Sequence, residues 1–144
     1  MCRKRIGQGK YFYCFLAGLT MFLLFGCSSL QQSRLSGDLQ NAEELYARGD
    51  FEGGLKANQN IMSLCEKKPP CEQALFNMGL IYASNNYAKK DYRKSMAMFQ
   101  RVVREYPQSP LVPQARTWIG VLAVIERSKD IDIEIERTKK KLAR

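Results

Sequence analysis

The sequence predicts an all-α protein made of antiparallel helix hairpins packed side by side. Three observations lead to this. Apolar residues recur at three- and four-residue spacing from Asp38 onward, the period of a helix with one buried face. Helix-breaking Gly, Pro and Asn fall between those runs. The breaks are short, so consecutive helices must turn back on each other.

The elements follow in order. Leu39, Ala42, Leu45 and Tyr46 line a first helix, interrupted at Gly49-Asp50. Phe51, Leu55, Ile61, Met62 and Leu64 define a second, ending at the loop between Cys65 and Cys71. Leu75, Met78, Gly79, Tyr82 and Ala83 mark a third, predicted to run to about Ala88. Tyr92, Met96, Phe99, Val102, Val103 and Tyr106 make a fourth, stopped by Pro107. After the loop from Pro107 to Pro113, Ala115, Trp118, Ile119, Leu122 and Ala123 carry a fifth to Ile125. Beyond it, Ile131, Ile133 and Ile135 alternate as a strand would, yet Ile131, Ile135, Thr138 and Leu142 also share one helical face. Acidic residues precede basic ones, which suits the helix dipole. The expectation is a separate charged helix over 126–144 that caps the open end of the stack.

Ahead of the helices lies an export signal. Four cations (Arg3, Lys4, Arg5 and Lys10) precede the apolar run from Tyr11 to Gly26, which is short for a membrane span of about 20 residues. An uncleaved signal anchor is the alternative reading. Leu24-Phe25-Gly26-Cys27 resembles the bacterial lipobox, in which a small residue precedes a Cys that becomes lipidated and N-terminal; Phe25 stands where a smaller residue is usual. The resemblance implies a signal peptide over 1–26, a palmitate-bearing Cys27, and a polar tether over 27–37. Ser28 and Ser29 follow the Cys instead of Asp. By resemblance to lipoprotein sorting in bacteria with two membranes, this implies the outer membrane, facing the periplasm.

Export changes how the charge is read. The whole chain has 23 Lys and Arg against 14 Asp and Glu, a net +9. Without the four signal cations, 19 remain against 14, about +5. That mild excess, in a compartment without the chromosome, sets nucleic acid aside. Cysteine usage fits the same compartment. With Cys2 and Cys14 in the signal and Cys27 lipidated, Cys65 and Cys71 remain as a candidate disulfide; two free thiols are the alternative.

The third and fourth helices carry a repeat pattern. Gly79 and Tyr82 lie three apart in one helix, and Tyr92, Ser95, Phe99, Val102 and Pro107 follow in the next. This resembles the tetratricopeptide repeat (TPR), a 34-residue helix–turn–helix in which small residues let helices approach and aromatics fill the wider gaps. Two departures stand out: Ser95 replaces the usual Ala, and Ser84-Asn85-Asn86-Tyr87 adds four residues, about one extra turn. A first unit is looser, with Gly54 and Asn58 in place of the Ala and aromatic, and Gly120 heads a third first-helix with no second partner. The resemblance covers about 38–125 and extends to envelope-assembly and pilus-assembly TPR lipoproteins of the outer membrane. It implies a solenoid of about two and a half repeats.

Catalytic chemistry is not expected. The chain has no His, so a His-based triad cannot be assembled; with Cys65 and Cys71 the two thiols left, a zinc site is not expected, and no cofactor motif is present. What the resemblance implies is binding. The family's groove-facing positions match Glu43, Tyr46, Gln73, Phe76, Leu80, Ala83 and Thr117, which would hold a partner's peptide or helix; ordinary packing is the alternative for the apolar ones. Lys89, Lys90, Arg93, Lys94, Arg101 and Arg104 form a second candidate, a basic patch for anionic headgroups, peptidoglycan or an acidic partner, against the plainer reading of a solvated helix face. The expected role is a protein-binding adaptor in an envelope complex. A regulatory lipoprotein of a membrane signalling system and a wall-associated structural protein are the rivals.

Overall fold

The computed structural model describes residues 33–143, and the expectations for the signal, for Cys27 and for residues 28–32 lie outside them. The described residues contain five helices and no strand. They are α1, whose described part runs 33–47, α2 (Phe51–Leu64), α3 (Cys71–Ala83), α4 (Tyr92–Glu105) and α5 (Val112–Leu142).

Local chemistry fixes each corner. Gly49 ends α1 with φ of +80°, a left-handed conformation that costs glycine nothing. Its N–H donates to the Tyr46 carbonyl at 2.9 Å while the Asp50 N–H reaches back to Leu45 at 2.9 Å, the paired closure of a Schellman turn. Asp50 then caps α2, its carboxylate accepting from the Gly53 N–H at 2.9 Å. Asp91 does the same for α4, accepting from the Lys94 N–H at 3.0 Å, and its own N–H donates to the Tyr82 carbonyl at 2.9 Å. Pro113 sits in the first turn of α5, where a missing N–H is harmless. Between α2 and α3, Cys65 and Cys71 are joined by a disulfide with Cα atoms 5.7 Å apart, and the loop turns through positive φ at Glu66 and Lys67.

Consecutive helices run antiparallel. Gly79 of α3 faces Ser95 of α4, and Phe76 further back faces Phe99 further on. Phe99 in turn stacks on Trp118 of α5, and Arg93 at the start of α4 reaches Glu126 beyond it. The central helix α3 is packed on both sides and buries Ala74, Leu75, Phe76, Met78, Gly79 and Ile81. One apolar cluster joins Leu75, Ile81, Phe99, Val102, Ala115 and Leu122; a second joins Leu35, Ala42, Ile61, Cys65, Cys71 and Ala74. Three of these, Phe99, Ile61 and Leu75, are the largest fully buried side chains.

The crossing of α3 and α4 depends on absent side-chain volume. A Cβ on Gly79 would come within 2.7 Å of the Phe99 ring. Ser95 is fully buried, and its hydroxyl donates to the Gly79 carbonyl at 2.7 Å, which satisfies the one polar atom the crossing encloses. The α1/α2 crossing is built alike: a Cβ on Gly54 would meet Ile81 at 3.2 Å and the Ala42 carbonyl at 3.5 Å.

Three expectations are corrected. The tether expected over 27–37 is helical from residue 33, because Leu35 continues the stripe of Leu39 and Ala42 and is buried against α2. The four added residues do not lengthen α3. Ser84 is extended (ψ 127°) and Asn85 turns, its side-chain Oδ1 accepting from Lys90 Nζ and Tyr92 Oη, so Ser84–Tyr87 forms a loop. The separate capping helix over 126–144 is absent as such. Nothing between Ile125 and Leu142 breaks the helix, so α5 runs straight through, and every residue from Arg127 to Ala143 is exposed; Lys129 stands over the Tyr92 ring at 4.2 Å, but the segment does not cap the stack. No helix among the described residues is long and apolar enough to cross a membrane.

Candidate binding surface

Of the seven positions matched to a peptide groove, the structure exposes Glu43, Tyr46, Gln73 and Thr117 and half-buries Leu80 and Ala83. The first helices of the hairpins are neighbours: Asn77 Nδ2 of α3 donates to Glu43 Oε1 of α1 at 3.5 Å. Tyr46 packs edge-on against Phe51, with ring centroids 5.9 Å apart. Thr117 spends its hydroxyl on the Pro113 carbonyl of its own helix. Phe76 is the correction in this set. It is buried, and its ring meets Phe99 edge-on at 5.1 Å, so it belongs to the core and not to a groove. Because α3 has neighbours on both sides, a residue that would face outward on a peripheral helix is covered here.

The basic patch is also changed by its surroundings. Lys89 pairs with Glu52 at 2.7 Å, Arg93 with Glu126 at 3.1 Å, and Lys94 with Asp91 at 3.6 Å. Arg101 binds Glu105 through both fork nitrogens, at 2.9 and 3.2 Å, and Arg104 joins the same carboxylate at 3.1 Å. Lys90 donates to Asn85. Five of the six cations therefore have a carboxylate partner. The face is a mixed-charge network, with carboxylates set among its cations, and not a bare cationic surface.

The sequence did not point to the feature that the Ser84–Tyr87 loop creates. It folds Tyr87 inward until the ring is buried, against Phe51 at 5.4 Å and Tyr82 at 6.4 Å. Tyr87 Oη donates to Glu52 Oε1 at 3.0 Å, the same oxygen that takes Lys89. Burial, followed by the hydrogen bond to Glu52, pushes the Tyr87 phenol up to about 12. The Lys89 and Tyr87 bonds hold the Glu52 carboxyl below its usual range, and Glu52 raises Lys89 in return. Beside this triad lies an open cavity of about 640 Å³ between α2 and the start of α4, lined by Leu55, Lys56, Gln59, Tyr82, Tyr87 and Lys94 among others. Lys94 also stands over the Tyr82 ring at 5.7 Å. The one signal in the sequence was the four-residue departure from the repeat; its partner Glu52, 35 residues away, carried none.

These arrangements offer contact surface and charge. The lowered carboxyls, Glu52, Asp91, Glu105 and Glu126, each take their shift from a partner that holds them as structural anions. Among the described residues no group of three His, Cys, Asp or Glu is placed to hold a metal ion. Comparison with protein-family models, with curated proteins and with solved structures finds no match.

Proposed function

We propose that this chain is a lipid-anchored periplasmic adaptor of the outer membrane, whose helical domain is a TPR-like solenoid that binds a partner protein. The observation that carries the repeat reading is the geometry of the helix crossings. Ala42 against Gly54 and Gly79 against Ser95 put small residues at corresponding points of two successive hairpins. The first members lie 37 residues apart and the second 41, and the difference is the Ser84–Tyr87 loop. A stacked pair of such hairpins sets its first helices side by side. Here Glu43, Gln73 and Asn77, with Leu80 half-buried among them, offer polar specificity around a modest apolar contact. The anchor reading rests on Leu24-Phe25-Gly26-Cys27, and the adaptor reading on that resemblance together with a domain that presents surface and no assembled chemistry.

The test is in-cell crosslinking from intact envelopes, followed by capture of the tagged full-length chain. Wild type should yield a defined partner protein. Gln73→Glu/Leu80→Glu should reduce its recovery at least about tenfold, as loss of a central interface contact does, while leaving helix content unchanged. Equal recovery from a folded double variant would remove the first-helix surface from the account.

A further inference from the structure

The part of α5 that projects past the stack presents a stripe the domain does not use. Counted along the helix, Val121, Ser128, Ile135 and Leu142 alternate with Val124, Ile131 and Thr138 at spacings of three and four. That is an average of 3.5 residues, the seam of a coiled coil. Ala115 and Leu122, which α5 buries against the rest of the fold, lie on the opposite side of the helix at about 100° per residue. The seam is open: Val124 is 69% exposed, Ile131 54% and Leu142 84%. Past Lys129, whose Nζ stands over the Tyr92 ring at 4.2 Å, a helix segment this exposed is marginal in water, and the exposed pairs that brace it, Glu134–Arg137 and Glu136–Lys139, are of the kind that contributes little.

We infer that this stripe is a dimer seam, occupied by α5 of a second copy of the chain lying parallel and in register. Charge decides the occupant and its direction. With Val121 and its equivalents at a and Val124 and its equivalents at d, the flanking g positions hold Arg127 and Glu134, and the flanking e positions hold Asp132 and Lys139. In a parallel homodimer each g residue meets the e residue five places on in the partner. Both meetings are attractive: Arg127 with Asp132, and Glu134 with Lys139. Antiparallel registers bring g to g and e to e. Centring on Glu134 opposes Glu134 to itself and Arg127 to Lys141. Pairing Arg127 with Glu134 instead opposes Asp132 to itself, and pairing Glu134 with Lys141 opposes Lys139 to itself. Among these registers, only the parallel one forms flanking pairs that are all attractive. The polar Ser128 and Thr138 in the seam lower its affinity, so the dimer is reversible.

The test uses the full-length chain, expressed and purified intact. Ser128→Cys and Thr138→Cys, made separately, should each give a disulfide-linked dimer under mild oxidation, whereas Lys140→Cys on the outer side should not. An antiparallel pair can align at most one of the two seam positions with itself, so crosslinking at only one of them overturns the parallel register. By sedimentation the wild type should show a concentration-dependent dimer. Glu134→Lys should weaken it at least about tenfold, and Glu134→Lys/Lys139→Glu should restore it, as expected when one interfacial ion pair is reversed and then rebuilt. A wild-type chain that stays monomeric overturns the inference, as does a monomer that partitions onto anionic vesicles through Ile131 and Ile135. So does an Ile131→Asp/Ile135→Asp variant that dimerises like wild type.

Discussion

Three of the helical glycines, Gly54, Gly79 and Gly120, sit under different constraints, and one substitution separates them. Replacing an interior helical glycine by alanine gains about 1 kcal/mol of helix propensity where nothing interferes. Gly120 is such a place: a Cβ there meets nothing within 4 Å, so Gly120→Ala should stabilise by about 1 kcal/mol. At Gly54 the nearest atom is Ile81 Cδ1 at 3.2 Å, the mobile tip of a side chain, and the gain and the contact should nearly cancel. At Gly79 the Cβ would fall 2.7 Å from two atoms of the Phe99 ring. That ring cannot step aside, since it is fully buried, stacked on Trp118 at 5.9 Å and met edge-on by Phe76 at 5.1 Å. Overpacking of this kind costs about 1–3 kcal/mol, and a rigid clamped ring puts Gly79 at the upper end. After the propensity gain, Gly79→Ala should destabilise by about 1–2 kcal/mol, and should lie about 2–3 kcal/mol below Gly120→Ala. Urea unfolding of the three variants, followed by far-ultraviolet circular dichroism, measures the order directly. Gly79→Ala as stable as Gly120→Ala would refute the close crossing of α3 and α4, and with it the geometry on which the repeat reading stands.

Two further predictions concern the disulfide and the charge network. Cys65 and Cys71 are six positions apart and close a small ring, so Cys65→Ser/Cys71→Ser should cost about 2 kcal/mol by loop-closure entropy, read as a lower urea midpoint with an unchanged slope. Acid should act through the anions. The Glu126 carboxyl is held below its ordinary value of 4.5, chiefly by the Lys129 hydrogen bond and then by Arg93; Glu105 is lowered by Arg101, and Asp91 by the Lys94 N–H. Because the folded chain binds these protons more weakly than the unfolded one, their stabilisation is complete above about pH 4.5 and is lost as pH falls through the depressed values. The thermal midpoint should therefore hold between about pH 7 and pH 5 and drop below about pH 4, with a shallower drop in Glu126→Gln. A midpoint flat down to about pH 3 would contradict the pairing.

The all-helical class, the order of the first four helices and several of their ends were legible because their causes are local. The Leu39–Ala42 stripe, the Gly49-Asp50 corner and the Pro107 stop each act within a turn of themselves. What sequence reading missed depends on neighbours. Phe76 looked available because periodicity cannot say whether a helix has one packed side or two. Lys89 and Arg93 looked unpaired because Glu52 and Glu126 lie more than 30 residues away along the chain, whereas Asp91 and Glu105, which take Lys94, Arg101 and Arg104, stand in the same stretch of sequence. Ser84–Tyr87 read as an extra helical turn from its length, while Ser and Asn side chains favoured a loop and the Phe51–Glu52 corner drew Tyr87 inward. The apolar face of α5 was seen, but a stripe of Ile and Leu does not say whether it covers its own stack or another chain. Its exposure, and the charges beside it, decide that.

The anchor proposed for this helical module is a lipid on Cys27. Growth with labelled palmitate, followed by isolation of the full-length chain and of Cys27→Ser, tests it most directly. Label is expected on the wild type in the outer-membrane fraction, with an unlabelled, unprocessed Cys27→Ser chain. Equal labelling of the two chains, or a wild type that carries no lipid and keeps its first 26 residues, would contradict it.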